Sequence, residues 1–354
     1  MSEIPLPSME GPVCPLPLKH DEQIILGHGS GGRLTHDLIR NVFLPYLISP
    51  PLKEGDDFAR LADCKGEVVV STDCHIVSPL FFPGGDIGKL AVCGTVNDIA
   101  VSGARPLYLT AGFILEEGLP IRTLVRILES MQAAAQEAAI QIVAGDTKVV
   151  EKGKADGLFI TTTGIGFLPK ERSINGHNAR PGDIILISGS IGDHGIAVLA
   201  ERGELGFSTD VSSDIAPLNG LIQELLAAAP RTHVLRDPTR GGLATTLNEI
   251  AFQSGVGMVL EENLIPVQPA VRAACEMLGF DPLYIANEGK VVAIVPESEA
   301  DAALNAMRRH PYGRQAARIG KVTAEHPGRV LLKTSIGAVR VVDMLAGEIL
   351  PRIC

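Results

Sequence analysis

The sequence is poor in aromatic residues and contains no tryptophan. Among its 354 residues are ten Phe and four Tyr, too few to build the stacking platforms with which proteins bind single-stranded nucleic acid. It also lacks an excess of basic residues, since 31 Lys and Arg stand against 41 Asp and Glu, a formal net charge of −10. Nucleic acid and anionic membrane surfaces are therefore poor partners for this chain.

Paired cysteines and long apolar runs are missing as well. The six cysteines, at positions 14, 64, 74, 93, 275 and 354, form no Cys-x-x-Cys pair, which argues against a zinc site. No stretch approaches the roughly 18 consecutive apolar residues of a membrane span. The N-terminal segment lacks the basic start and apolar stretch of a signal peptide. We therefore expect a cytoplasmic protein with reduced thiols, no membrane association and a poorly ordered leader over residues 1–20.

The length of the chain and its pattern of apolar residues predict two domains. At about 150 residues per domain, a chain of this length corresponds to about two. Predicted strands at 67–72, 107–115 and 158–168 alternate with helices, and the polar, turn-rich segment 171–182 is the best linker candidate. We expect an α/β (α+β) fold in which helices cover mixed β-sheets. Its predicted parts are an N-terminal domain (21–170), a C-terminal domain (171–340) and a mobile tail (341–354).

A glycine-rich segment follows the leader. Gly27, Gly29 and Gly32 match the G-x-G-x-x-G pattern of dinucleotide-binding turns. That fingerprint also needs an acidic residue at the end of a second strand, and residues 45–60 are too rich in proline to form this strand. The segment is then either a flexible turn or a loop whose backbone N–H groups close over phosphates.

Acidic and amide side chains recur beside glycine or at the expected edges of strands and helices. The set consists of Asp73, Asn97, Asp98, Asp146, Asp237 and Glu288. Asp73 and Asp146 are each predicted to follow a strand. Any one member is typical of a capped turn or helix start. As a set they favour a phosphate-handling enzyme, because Mg²⁺ prefers carboxylate oxygens together with substrate phosphates. Lys148 supplies the cation that phosphoryl transfer needs.

Three further residues could carry chemistry. His194, inside the turn DHG, could relay protons near neutrality, or it could be a capping or core residue held by hydrogen bonds. Arg240 could reach an anionic ligand or pair with an acid. Cys354 is the last residue of the chain. A thiol on a mobile tail is a nucleophile that can be carried between sites, and Arg352 favours its thiolate; it could also be an incidental exposed cysteine.

Longer motifs resemble one family closely. They include STD at 71–73, PLFFPGGDIGKLAVCGTVNDIAVSGARPLYL at 79–109, GDTKVV at 145–150, SGSIGDHGIAVL at 188–199, RDPTRGG at 236–242, NEGK at 287–290 and the terminal PRIC. These segments are similar to the HypE carbamoyl dehydratases of nickel–iron hydrogenase maturation. That family lies in the superfamily of aminoimidazole ribonucleotide synthetases and selenophosphate synthetases, with a two-domain synthetase-like fold. The resemblance covers about residues 21–354.

The resemblance implies an ATP- and Mg²⁺-dependent reaction on the protein's own tail. A carbamoyltransferase, HypF, would load a carbamoyl group onto Cys354. The chain would then dehydrate the S-carboxamide to an S-cyanide, releasing ADP and phosphate, and the cyanide would pass to iron on a HypC–HypD complex. By the same resemblance we expect a homodimer that joins its N-terminal sheets and sets the nucleotide sites near the subunit boundary.

The resemblance also implies roles for individual residues. Cys354 would carry the substrate and Lys148 would stabilise the transferring phosphoryl group. Glu288, ahead of His194, would accept the amide protons, because a carboxylate shielded in a dry site has a raised pKa. The residues expected to hold Mg²⁺ are Asp73, Asp98 and Asp146. The expected nucleotide-binding residues are Gly29, Gly31, Gly32, Asp73, Asn97, Asp98, Gly145, Asp146, Thr147 and Asp237.

Two rival interpretations come from other classes of protein. A sister enzyme such as a selenophosphate synthetase would need its reactive cysteine near the N-terminal glycine loop, where this chain has His28 and Ser30. A non-enzymatic scaffold would present the tail as a peptide and would not turn over ATP.

Overall fold

The computed structural model describes residues 22–54, 59–61, 66–170, 172–203, 209–345, 347, 350, 352 and 353. The predicted leader over 1–20 and the terminal Cys354 lie outside these residues. Two large sheets, of four and seven strands, organise the described chain. None of the described helices combines the length and apolar character needed to cross a bilayer.

The N-terminal unit is built on the four-stranded sheet. Its elements are α1 (Arg33–Leu38), α2 (Pro50–Glu54), β1 (Glu67–His75), β2 (Phe81–Phe82), β3 (Gly85–Asp86), α3 (Ile87–Val101), β4 (Arg105–Glu116), α4 (Ile121–Glu137), β5 (Gln141–Val150) and β6 (Leu158–Leu168). The strand order is β1-β6-β4-β5. β6 runs antiparallel to both of its neighbours, and β5 runs parallel to β4. β1 and β5 therefore form the two edges of the sheet.

Alternating burial defines this sheet. Along β6, every second residue from Leu158 to Gly166 is buried and those between are partly exposed, which is the two-residue period of a strand with one covered face. Helices cover that face. On α4, buried Leu124, Ile127 and Met131 recur at spacings of three and four residues, as expected for one face of a helix.

The C-terminal unit contains the seven-stranded sheet. Its elements are β7 (Ile184–Ile187), α5 (Asp193–Glu201), α6 (Asn219–Ala228), β8 (Val234–Arg236), α7 (Gly242–Ser254), β9 (Gly257–Glu261), α8 (Pro269–Leu278), β10 (Val292–Val295), α9 (Glu297–Arg309), β11 (Ala317–Thr323), β12 (Val330–Lys333) and β13 (Val339–Val342). The order is β13-β12-β9-β11-β7-β10-β8. Only β9 and β12 are parallel neighbours. Both sheets are mixed, and the predicted fold class is confirmed.

The helix α3 lies between the two units. Most of its 15 residues are buried; it packs on β1 and β6 on one side and contacts α6 and β8 on the other. Its close approach to β6 depends on glycine. A Cβ at Gly166 would overlap the Ile99 side chain and lie 2.9 Å from the Arg105 carbonyl oxygen. The tight packing fixes the positions of Asn97 and Asp98, which α3 carries.

We expect Gly166→Ala to lower the free energy of unfolding by about 1–3 kcal/mol, because the added methyl group overpacks the contact between α3 and β6. Gly112→Ala on β4 is the matched control, since its Cβ would meet only the Thr161 carbonyl oxygen, at 3.8 Å. Urea unfolding of both variants measures the difference. Equal midpoints would show that the helix can move away from the strand at little cost.

The predicted positions of Asp73 and Asp146 relative to their strands were wrong. Both residues lie inside strands rather than after them. β1 continues to His75 because it pairs with β6 over its whole length, and β5 continues beside β4 to Val150. Asp73 lies on the face of β1 turned toward α3, since a Cβ at Gly94 would meet its Oδ2 at 3.5 Å, whereas Asp146 is exposed on β5. A polar side chain can occupy either face of a strand without ending it.

Candidate active site

Four of the predicted acidic residues gather where the two units meet. They come from β1, from α3, from the residue after β8 and from the NEGK loop before β10. We call them the acidic group: Asp73, Asp98, Asp237 and Glu288.

The crowding of these carboxylates alters their protonation. Loss of hydration, and then the neighbouring Asp98, raise the pKa of Asp237 to about 7. Burial also raises the pKa of Asp98, against a hydrogen bond from Ser71 Oγ, which lies 2.6 Å from Asp98 Oδ2. The pKa of Glu288 is raised well above its usual range by burial and then by nearby carboxylates. Carboxylates that repel one another in this way favour a bound cation.

A cavity of about 560 Å³ is lined by two members of this group. Its walls carry the carboxylates of Asp98 and Asp237 and the guanidinium groups of Arg236 and Arg240. Thr245 also lines the cavity, and its buried Oγ1 has no hydrogen-bond partner in the described part of the chain. The cavity thus offers oxygen ligands for a metal ion and guanidinium groups for phosphates. We call it the acidic cavity.

Asp214 fixes the loop that carries Glu288. Its carboxylate oxygens accept the N–H groups of Glu288 and Gly289 at 3.1 and 3.3 Å, and Lys290 Nζ lies 3.1 Å away. On the other side, Asn97 Nδ2 donates to the backbone oxygen of Glu288 at 3.2 Å. The loop is held from two directions, whereas Glu288 Oε1 lacks a partner among the described residues. Sequence reasoning missed Asp214, which belongs to none of the motifs.

Another part of the predicted site lies on the opposite edge of the N-terminal sheet. β4 and β6 separate β5 from β1, a distance of about 14 Å for three strand spacings. Lys148 Nζ is 2.8 and 2.6 Å from the two carboxylate oxygens of Asp146, and this contact holds the pKa of Asp146 below its usual range. The glycine-rich turn is on this side too, because a Cβ at Gly29 would lie 2.6 Å from Val149 N. We call these residues the β5 group: Gly29, Gly145, Asp146, Thr147 and Lys148.

The structure therefore divides the predicted site into two parts. Asp73 and Asp98 lie at one part and Asp146 at the other, so the predicted Mg²⁺ ligands are not assembled within one chain. Across the described residues, no three His, Cys, Asp or Glu side chains form a metal-binding cluster. Gly31, with a φ of +79°, and Gly32 join the glycine-rich turn to α1.

His194 uses both of its ring nitrogens. Nδ1 lies 2.8 Å from Ser213 Oγ and Nε2 lies 2.8 Å from the backbone oxygen of Ile353. The side chain is fully buried, and burial lowers its pKa. Of the alternatives predicted for His194, this geometry favours a core residue held by hydrogen bonds, because a proton relay would have to break one of them.

The described residues of the tail lie against the body of the protein. Ile353 is buried, and the backbone oxygen of Arg352 accepts hydrogen bonds from the body. A second cavity, of about 480 Å³, is lined by Cys74, Arg240 and Ile353 among others; we call it the tail cavity. Arg240 lines both cavities, so they adjoin. The mobility of the tail stays a prediction.

Comparison with known proteins identifies the family. Models of the AIR synthase related protein match over residues 55–168 for the N-terminal domain and 180–333 for the C-terminal domain. Carbamoyl dehydratase HypE of Cupriavidus necator is 58% identical over 333 residues, covering 94% of this chain and 95% of that protein. The chain belongs to the HypE carbamoyl dehydratase family. HypE of Escherichia coli is 47% identical over 336 residues, which cover 94% of this chain and 99% of that protein.

Solved HypE structures share the fold described above. HypE in complex with ATP gives a TM-score of 0.90 at 52% identity and covers 93% of this chain and 99% of that one. The HypE–HypF complex gives a TM-score of 0.77 at 51% identity and covers 87% of this chain and 99% of that chain. The predicted family is confirmed, and the chain is an enzyme of hydrogenase maturation.

Proposed function

We propose that this HypE family member converts a carbamoyl group on Cys354 into a thiocyanate, with ATP consumed and ADP and phosphate released. The product would supply the cyanide of the nickel–iron centre. The observation that carries the proposal is the docked tail. Ile353, the neighbour of Cys354, is buried beside His194, in contact with a cavity that adjoins the acidic cavity. A substrate tethered there reacts by proximity.

ATP as the phosphoryl donor is supported by the relative solved in complex with ATP and by the acidic cavity. Asp73 and Asp98 would hold Mg²⁺, because a divalent ion relieves the repulsion that helps raise the pKa of Asp98. Bound there, the ion would offset the negative charge of the phosphates. Arg236 and Arg240, which also line the acidic cavity, would hold phosphate oxygens.

The β5 group would complete the site from a second copy of the chain. On the edge strand β1, Val68 and Val70 are 58% and 59% exposed, and an open edge of this kind favours pairing with another chain. A homodimer that sets β1 of one copy beside β5 of the other would bring Asp146 and Lys148 to Asp73. The glycine-rich turn would then close over the phosphates.

The dehydration requires the removal of two amide protons. The amide oxygen takes the phosphoryl group while ADP leaves and the first N–H proton departs. The second N–H proton departs as the C–O bond breaks, so that the C≡N bond forms and phosphate is released. Glu288 would accept the protons, because its buried carboxyl has the raised pKa that suits a general base. Lys148 would stabilise the charge on the transferring group.

Two partners follow from this scheme. HypF would load the tail, and the solved HypE–HypF complex of a relative supports this pairing. A HypC–HypD complex would take the cyanide onto iron.

Intact-mass spectrometry tests the proposal. In a mixture with HypF, carbamoyl phosphate, ATP and Mg²⁺, the protein should gain a carbamoyl group on Cys354 and then lose one water. Cys354→Ala should do neither. A carbamoyl adduct that persists in the presence of ATP would contradict the proposed dehydration.

A further inference from the structure

The last described residues of the chain are held by a group of contacts that the reaction scheme does not use. The body contributes one backbone N–H and three side chains. We call these residues the tail clamp: Ser78, Asp156, His194 and Arg202.

Two consecutive backbone carbonyl groups of the tail accept hydrogen bonds from the body of the protein. Arg202 Nη2 donates to the Arg352 oxygen at 2.6 Å, and Ser78 N donates to the same oxygen at 3.2 Å. Arg202 Nε also donates to Ser78 O at 2.7 Å. One guanidinium group therefore binds both the tail and the segment that contains Ser78. The next carbonyl, that of Ile353, meets His194 Nε2.

The His194 contact fixes the tautomer of the ring. A carbonyl oxygen can only accept, so Nε2 carries the proton and Nδ1 accepts from the hydroxyl of Ser213. Burial, which lowers the pKa of His194, keeps the ring neutral and the arrangement stable. The ring therefore acts as a fixed donor aimed at the residue before the terminal thiol.

Two side chains of the tail are recognised as well. The Arg352 guanidinium pairs with the Asp156 carboxylate on the loop between β5 and β6. Ile353 enters the same buried cluster as Val198, Ile215 and Ala286. The backbone hydrogen bonds fix the position of the chain. The Asp156 carboxylate and the buried cluster select an arginine at position 352 and a large aliphatic residue at position 353.

We infer that the tail clamp positions Cys354 for dehydration and that Asp156 selects the arginine at position 352. Cys354 follows Ile353 directly in the sequence. Ala286, which lines the tail cavity together with Ile353, stands two residues before Glu288. The clamp thus delivers the terminal thiol to the surroundings of Glu288. The role of the clamp in dehydration rests on the proposed function. The docking of the tail rests only on the contacts described above.

An exchange of charges tests the recognition of Arg352. Asp156→Arg and Arg352→Asp should each weaken docking, and the double variant Asp156→Arg/Arg352→Asp should restore it. Hydrogen exchange by mass spectrometry reads docking directly, because the Ser78 amide is protected only while the tail accepts its hydrogen bond. We expect faster exchange at Ser78 in both single variants and wild-type exchange in the double variant.

The same variants are then compared in the loading mixture. The ratio of dehydrated to carbamoylated tail over time should fall about fivefold in the single variants, the size expected for one partly exposed ion pair, and recover in the double variant. The KM for ATP should stay unchanged, since none of the residues proposed to hold the nucleotide belongs to the clamp. Glu151→Arg, on the same loop and exposed, is the control for added positive charge.

The outcomes separate the inference from the proposed function. Single variants with wild-type exchange at Ser78, or a double variant that recovers neither readout, would overturn the clamp. A wild-type protein that shows the predicted exchange pattern but never loses water would support the clamp and overturn the proposed chemistry. The exchange readout needs no loading, so it holds even where HypF rejects an altered tail.

Discussion

Glu288→Gln will stop the loss of water from the loaded tail while leaving the carbamoyl adduct and the fold in place. General base catalysis contributes about 10²–10⁴-fold to rates, and glutamine cannot take a proton at neutral pH. The substitution keeps the size of a side chain that is 4% exposed, so the loop held by Asp214 should survive. Intact-mass spectrometry over time should show the carbamoyl adduct accumulating in the variant and being consumed in the wild type.

The pH dependence gives an independent readout of the same residue. Burial raises the pKa of Glu288 well above its usual range. Below that pKa the carboxyl is protonated and cannot accept a proton, so the wild-type rate should rise with pH as it passes through the raised pKa. The residual rate of Glu288→Gln should lack this rise, and the exposed control Glu325→Gln should keep it. A variant that dehydrates at the wild-type rate would remove Glu288 from the chemistry.

Lys148→Ala should slow dehydration by about 10²–10³-fold, because a cation aimed at a transferring phosphoryl group stabilises charge that develops in the transition state. The carbamoyl adduct should still form. The side chain is 63% exposed in a single copy of the chain, so its loss should leave the unfolding midpoint unchanged. Lys152→Ala, a few residues further along the same segment and exposed, is the control and should retain the wild-type rate.

Mixed dimers test whether Lys148 acts in the active site of its own chain or in that of the other copy. If β5 of one copy completes the site of the other, a dimer of one Lys148→Ala chain and one Glu288→Gln chain contains one intact site. Random pairing of the two inactive variants should then recover about a quarter of the wild-type rate, since about half of the dimers are mixed and each has one of two sites complete. No recovery would show that Lys148 acts within its own chain.

Individual elements were predictable because their patterns are local. The predicted strand 158–168 matches β6 from Leu158 to Leu168, and the buried residues of α4 recur with the spacing of one helix face. The motifs also named the carboxylates of the acidic group. Each of these signals is contained within a few turns of helix or a few residues of strand.

The grouping of the residues could not be predicted in the same way. Asp73 and Asp146 belong to opposite edges of the sheet because the strand order is β1-β6-β4-β5, and strand order depends on long-range pairing. Asp214 was missed because its importance comes from burial beneath the NEGK loop, not from its neighbours in the chain. His194 was ambiguous because only the folded structure shows what each ring nitrogen contacts.

The helix α3 restricts how this enzyme can move. Two consecutive residues on it are bonded to different units: Asn97 to the backbone of Glu288 and of Leu218, and Asp98 to Ser71 on β1. A hydrogen-bonded helix does not stretch between neighbouring residues. The NEGK loop and β1 therefore keep a constant separation, and hinge closure between the two units would break these bonds together. If Cys354 carries the carbamoyl group as proposed, the movement between the loading protein and this site falls to the C-terminal tail and not to the two units.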